Sequence, residues 1–218
     1  MVRFASRTDA ARRLAAALSK YRGKNPLVLA IPRGAVGMGA VIADALGGEL
    51  DVVLVRKLGA PHNPEFAVGA VDETGWTYVA PHAEAAGATL QALEREALKQ
   101  LEVLRRRRAQ YTPAREPADP GGRIVIVVDD GLATGASMIA ALHALRAKQP
   151  ARLICAVPVG ARDSLATIEA DADEVVCLAA PEDFYAVGQF YDDFGQVEDD
   201  EVIAILRRHG AAARLRSP

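Results

Sequence analysis

The chain has 218 residues, half of them hydrophobic, with 26 Lys and Arg against 28 Asp and Glu for a formal charge of −2. That is enough for one α/β domain with additions and a sizeable core. It excludes the broad basic footprint that nucleic acid requires, and no apolar run approaches the ~20 residues needed to cross a bilayer.

Residues 8–21 carry apolar positions at helical spacing, with Thr8 or Ser6 as N-cap. NPLVLAIP (25–32) is a short buried strand stopped by proline, and GAVGMGAVIADALGG (34–48) is a helix ending at Gly47-Gly48. DVVLVRK (51–57) is a second strand, and LGAPHNPE (58–65) reads as a loop from its prolines, glycine and asparagine. FAVGAVD and WTYVA flank Glu73-Thr74-Gly75 as a hairpin. Residues 89–110 form a long charged helix whose leucines 90, 93, 98, 101 and 104 are assigned to one stripe. Its run Arg105–Arg108 reads as solvated, at a helix end where the dipole favours cations. A Pro- and Gly-rich connector (113–122) leads to RIVIVVDD (123–130), the strongest strand signal in the chain. Then follow a helix (136–148), a strand (151–160), a helix (161–171), a strand (173–181) and a closing helix (199–210) ending at Gly210. Cys155 and Cys177 sit in apolar runs and read as reduced core residues, so a cytoplasmic protein is expected.

This alternation implies an α/β fold: a mostly parallel sheet with helices on both faces, plus a hairpin. The expected organisation is a single domain over 1–218, with a helical insertion at 83–122 and a candidate hood at 180–200. Ligands of such sheets sit beyond the carboxyl ends of the strands, which here means the loops 32–34, 56–65 and 129–137.

The stretch VVDDGLATGAS (127–137) combines opposed chemistries. Gly131 and Gly135 permit backbone conformations in which successive N–H groups turn inward around an anion. A helix beginning near Ala136 aims its amides and dipole at the same place, and Thr134 and Ser137 offer hydroxyl donors. That is a monophosphate cradle, without the Lys-Ser/Thr pair of a P-loop or a GxGxxG fingerprint. Asp129 and Asp130 just before it suit vicinal hydroxyls or a hard cation. A sugar phosphate satisfies both halves.

The same residues resemble the signature of type I phosphoribosyltransferases: an apolar strand, two acids, a short turn, then Thr-Gly and a hydroxyl residue. RKLGAPHNPEFAVGAVDETG and FYAVGQFYDDFGQVEDDEV further resemble a bacterial subfamily of predicted phosphoribosyltransferases, extending the likeness over nearly the full chain. The resemblance implies the type I phosphoribosyltransferase fold and transfer of phosphoribose from phosphoribosyl pyrophosphate (PRPP) to a small nitrogenous, nucleobase-like acceptor. It also implies release of pyrophosphate, magnesium as cofactor and a homodimer. A PRPP-sensing regulator without turnover, and a hydrolase or phosphorylase of ribose phosphates, stand as alternatives.

In the implied site, Asp129 and Asp130 hold the ribose hydroxyls and Mg2+, the metal being bound largely through ribose hydroxyls, pyrophosphate and water. Gly131, Ala133, Thr134, Gly135, Ala136 and Ser137 hold the phosphate. IPRGAVG (31–37) stands where the family places its pyrophosphate loop, so Arg33 and Gly34 meet the diphosphate, with Arg56 and Lys57 adding charge. Residues 58–75 correspond to a mobile loop, in which His62 or Glu65 touches ligand. Phe184, Tyr185, Phe190 and Tyr191 are candidates for stacking on the acceptor, with packing of a lid as the other reading. Ala133 departs from hypoxanthine-guanine phosphoribosyltransferases, which carry an acid there, and this puts 6-oxopurine salvage in doubt.

Overall fold

A computed structural model of the chain describes residues 2–113 and 116–216, with side chains for all of these except Glu65 and 211–216. Any contact between Glu65 and a ligand therefore lies outside the described residues. In chain order the elements are α1 (Arg7–Ala17), β1 (Leu27–Ala30), α2 (Val36–Leu46), β2 (Glu49–Val52), β3 (Val55–Ala60), β4 (Asn63–Asp72), β5 (Thr77–Val79), α3 (Leu90–Tyr111), β6 (Ile124–Val128), α4 (Ala136–Arg146), β7 (Arg152–Val159), α5 (Arg162–Ile168), β8 (Glu174–Ala179) and α6 (Asp199–Arg216).

Five strands form a parallel sheet in the order β2-β1-β6-β7-β8, and β3-β4-β5 form a separate antiparallel sheet. Alternate residues of the parallel strands feed two cores, as the period of two requires. Val28, Ala30, Ile126, Val128, Ile154 and Ala156 pack with α1, α2 and α6. Leu29, Val125, Val127, Leu153, Cys155 and Val157 pack with α4 and α5 on the other face. The chain runs outward from β1 to β2, then returns to β6 on the other flank of β1. The segments leaving β1 and β6 are therefore adjacent and diverge, with Ile31 N donating to Val128 O at 2.9 Å. That divergence is the switch point where such sheets bind ligands.

The expected strand 51–57 is two strands. β2 stays in the parallel sheet, and after Val53-Leu54 the chain turns into β3 of the second sheet. The expected loop 58–65 is largely strand as well, since β3 and β4 pair from Val55↔Asp72 to Ala60↔Asn63 with only Pro61 and His62 between them. Its loop-like composition belongs to register shifts on either side of Gly59. A Cβ on Gly59 would stand 2.4 Å from the Pro64 carbonyl oxygen, which is why glycine and proline appear inside a strand here. The hairpin expected at 66–80 is present as β4-β5, and Trp76 in its turn stacks on His143 of α4, centroids 3.5 Å apart.

The buried face of α3 is Leu93, Ala97, Leu104 and Tyr111, while Leu90 and Leu98 are exposed. Positions 93, 97, 104 and 111 fall on one side at 100° per residue and Leu98 does not, so the five leucines are not one stripe. Nor is the arginine run uniformly solvated. Arg108 donates to Glu73 and to the Val52 carbonyl oxygen, pinning α3 to both sheets. The closing helix continues through Gly210 to Arg216; a lone glycine costs a helix about 1 kcal/mol and does not by itself stop it.

Candidate active site

Beyond β6 the chain makes a turn whose geometry follows from small residues. Gly131 has Val187 of the hood segment so close that a Cβ would lie 2.6 Å from its Cγ1. Leu132 N donates to Val159 O, and Ser164 Oγ donates to Ala133 O, fastening the turn to β7 and α5. Gly135 then takes φ 73°, the left-handed region that glycine tolerates, as N-cap of α4. No side chain caps α4, whereas Ser6 caps α1 and Thr89 caps α3. The first-turn amides of α4 thus face outward without a side-chain acceptor, beside exposed Thr134 and partly buried Ser137.

Lys57, Asp129 and residues 131–138 line one small cleft. The cradle, the first acid and a cation are therefore assembled as the sequence suggested. Lys57 and Arg56 part company because successive strand residues point to opposite faces. Lys57 faces the cleft, while Arg56 turns to α3 and donates from Nε to Gln100 Oε1 at 2.7 Å. Burial and then the charge of Arg107 lower the Arg56 pKa, with Arg33 contributing in the same direction. Arg56 thus belongs with Arg33 and Arg107 in a neighbouring cationic group, not beside Lys57 in the cleft. Arg33 follows a cis peptide after Pro32 and meets Glu198 at 3.3 Å. His62 is exposed between β3 and β4.

The two acids differ in their surroundings. Asp129 is partly buried, and its carboxylate accepts from the Asp130 amide at 2.9 Å. Its pKa is pushed up to about 8, first by burial and then by the charge of Asp130, while the Asp130 amide, Lys57 and Arg7 pull the other way. Asp130 is held by Arg7, whose Nε donates to Oδ2 at 2.8 Å, and its backbone carbonyl accepts from Tyr191 Oη at 2.7 Å. Sequence reasoning missed Arg7 and the Tyr191 hydroxyl. A lone arginine in the first turn of a helix carries no signal of a partner 123 residues away.

Gly34 lies against this pair, and a Cβ there would stand 2.3 Å from Asp130 Oδ2 and 3.0 Å from Arg7 Nε. The carboxylate is tethered and cannot simply swing aside. Gly34→Ala is expected to cost roughly 1–3 kcal/mol, as overpacking does, and thermal denaturation checks it; an unchanged midpoint would mean that the loop after β1 yields freely.

The hood aromatics divide in two. Phe190 and Tyr191 are buried, with Phe184 packed on Phe190 at 5.3 Å, so the stacking reading is corrected to packing for Phe190 and Tyr191. Tyr185 is 88 % exposed.

No group of three or more His, Cys, Asp or Glu able to hold a metal occurs among the described residues. Two adjacent carboxylates beside a phosphate cradle do suit a magnesium ion that takes its other ligands from phosphate oxygens and water. Among the described residues no helix is long and apolar enough to cross a membrane.

Known proteins resemble this chain over most of its length. A model of the family described as phosphoribosyl transferase domain matches residues 5–194. A candidate phosphoribosyl transferase of Mycobacterium tuberculosis, found in two strains, is 44 % identical over 211 residues, which is 94 % of this chain and 46 % of that protein. The chain thus spans about half the length of these relatives. The crystal structure of TT1426 from Thermus thermophilus is similar with a TM-score of 0.79 and 49 % identity, covering 94 % of this chain and 98 % of that one.

Proposed function

The chain belongs to the phosphoribosyl transferase domain family, and from that premise we propose that it transfers the 5-phosphoribosyl group from PRPP to a small nitrogenous acceptor, releasing pyrophosphate. The observation that carries this reading is one cleft holding an uncapped helix N-terminus, a carboxylate and a lysine, with a second carboxylate adjoining it. A bare phosphate does not call for the acids, and a metal ion alone does not call for the cradle. A ribose 5-phosphate uses both.

The 5-phosphate sits against the amides of Thr134–Ser137 and their hydroxyls. The ribose hydroxyls reach back to Asp129 and Asp130, which also stabilise positive character on the ring as the bond to pyrophosphate lengthens. Lys57 at the cleft offsets charge on the departing diphosphate, and Arg33 and Arg56 add positive charge from the neighbouring cationic group outside the cleft. Magnesium, when bound at the acids, supplies charge neutralisation to the diphosphate and hydroxyls. The β3-β4 hairpin and the candidate hood at 180–200 flank the reacting centre and limit access of water, which competes as nucleophile. Catalysis on this reading is mostly positioning. Tyr185, exposed on the hood, is the aromatic surface available to an acceptor.

Calorimetry with PRPP, with and without Mg2+, tests the site. Wild-type protein is expected to bind in a magnesium-dependent manner, and Asp130→Asn/Thr134→Ala to lose at least tenfold in affinity, since each removed bond to a charged ligand contributes about 1.5–3 kcal/mol. Absence of binding by folded wild-type protein would sink the reading. Binding without pyrophosphate release across a panel of nitrogenous bases would favour a PRPP sensor instead.

A further inference from the structure

Residues 3–7 lie alongside the hood. Phe4 N donates to Phe190 O at 2.8 Å, Asp192 N to Phe4 O at 2.9 Å and Asp193 N to Ala5 O at 3.1 Å. Phe4 is fully buried, its ring 5.5 Å from that of Tyr191. Where this pairing ends, α1 begins, and its first residue is Arg7. The Arg7 guanidinium makes three contacts at once: Nε donates to Asp130 Oδ2 at 2.8 Å, Nη1 donates to Gly195 O at 2.7 Å, and Cζ lies over the Phe194 ring, 3.8 Å from its centre. The Arg7 and Asp130 side chains are 18 % and 17 % exposed, so the pair is screened far less than a surface bridge. Tyr191, also of the hood, donates to the Asp130 carbonyl oxygen. Asp130 is therefore held from α1 and from the hood together, through its side chain and its backbone.

We propose that Arg7 is a positioning residue of the PRPP site, fixing the Asp130 carboxylate and tying it to the hood, so that occupancy of the ribose site and placement of the hood are coupled. This rests on the PRPP reading above. The bond uses Oδ2, and no described residue bonds to Oδ1, which leaves that oxygen for a ligand hydroxyl. Arg7 also supplies positive charge to a turn that holds two adjacent acids and must accept a phosphate, opposing the repulsion between Asp130 and the ligand. Only a planar fork serves this geometry. A lysine brings the charge but cannot donate in two fixed directions and stack on Phe194 simultaneously.

The test is a double-mutant cycle on PRPP binding in saturating Mg2+, with Arg7→Met, Asp130→Asn and both together, accompanied by amide hydrogen exchange of the four ligand-free proteins. Arg7→Met is expected to lose about tenfold or more in affinity. The double variant should be little worse than Asp130→Asn alone, because Arg7 acts through Asp130. In Arg7→Met the amides of 190–195 should exchange faster while those of α4 do not. Arg7→Lys, which keeps the charge and guards against a simple loss of folding, should recover part of the affinity and none of the hood protection. Losses that multiply across the cycle, or hood exchange unchanged in Arg7→Met, overturn the proposal. If wild-type protein binds no PRPP, the transfer reading has failed, and the exchange measurement still decides whether Arg7 ties the hood to Asp130.

Discussion

Asp129→Asn is expected to abolish PRPP binding and to stabilise the protein. The folded-state pKa of Asp129 is raised to about 8 from the ordinary 3.8, by burial first and by the charge of Asp130 second. Below the unfolded pKa the group is protonated in both states and imposes no penalty. As pH rises toward 8, the unfolded chain releases the proton that the folded chain retains, so stability is lost across roughly pH 4–8. Asparagine removes that loss and keeps an Oδ1 able to accept from the Asp130 amide. Each tenfold difference in proton affinity between the folded and unfolded chain corresponds to about 1.4 kcal/mol at most, and partial exposure lowers the yield. A gain of about 2 kcal/mol at pH 8 is therefore expected, shrinking to nothing near pH 4. Denaturant unfolding at the two pH values measures it. A variant that is less stable at pH 8 would show that Asp129 is settled in its surroundings and is not strained for a ligand. The two effects together, lost binding and gained stability, are what a site built for a ligand produces.

Arg108→Met is expected to destabilise by about 3 kcal/mol, the cost of breaking a buried pair, without acting on the cradle. Arg108 donates from Nε and Nη2 to Glu73 at 2.8 and 2.5 Å and from Nη2 to Val52 O at 3.1 Å, with Nη1 3.8 Å from Asp51. Burial would pull its pKa down, yet Glu73 and Asp51 outweigh burial and the net direction is up. Asp51 is fully buried and accepts from the Val52 and Ala118 amides. Removing the cation takes the shared positive charge away from buried Asp51 and partly buried Glu73, which costs more than the pair itself is worth. Arg108→Met/Glu73→Gln should recover part of the loss, and thermal or denaturant unfolding compares the three proteins. If Arg108→Met unfolds like the wild type, the cluster contributes little and α3 is held by its apolar face alone.

Some features were legible because their signals are local. The αL glycine, the small residues and the paired acids at 129–137 constrain their own backbone, so the turn into an uncapped helix N-terminus beside two acids was readable before any contact was known. The central strands β1, β6 and β7 announced themselves as apolar runs because both of their faces are covered. The β3-β4 hairpin did not. Gly59, Pro61 and Pro64 serve a bulge and a tight turn there, and locally they cannot be told from a loop. Arg56 and Lys57 looked equivalent until strand alternation sent them to opposite faces. For Phe190 and Tyr191 the sequence left stacking on a ligand and packing of a lid both open, and burial decides for packing while Tyr185 stays exposed.

The order of residues alone was therefore enough for the class of fold, and for the turn at 129–137 on which the proposed ligand site rests, since that turn depends on backbone freedom and charge within a dozen neighbouring residues. Long-range packing chose which cation faces the cleft, brought Arg7 to Asp130 and joined the hood to residues 3–7. It also made Arg108 a partly buried pin between α3 and two sheets. Each of these depends on which distant segments meet. An arginine's stem is long enough to serve solvent, a carboxylate or a ring equally well, and only the packing of the whole chain chooses among them.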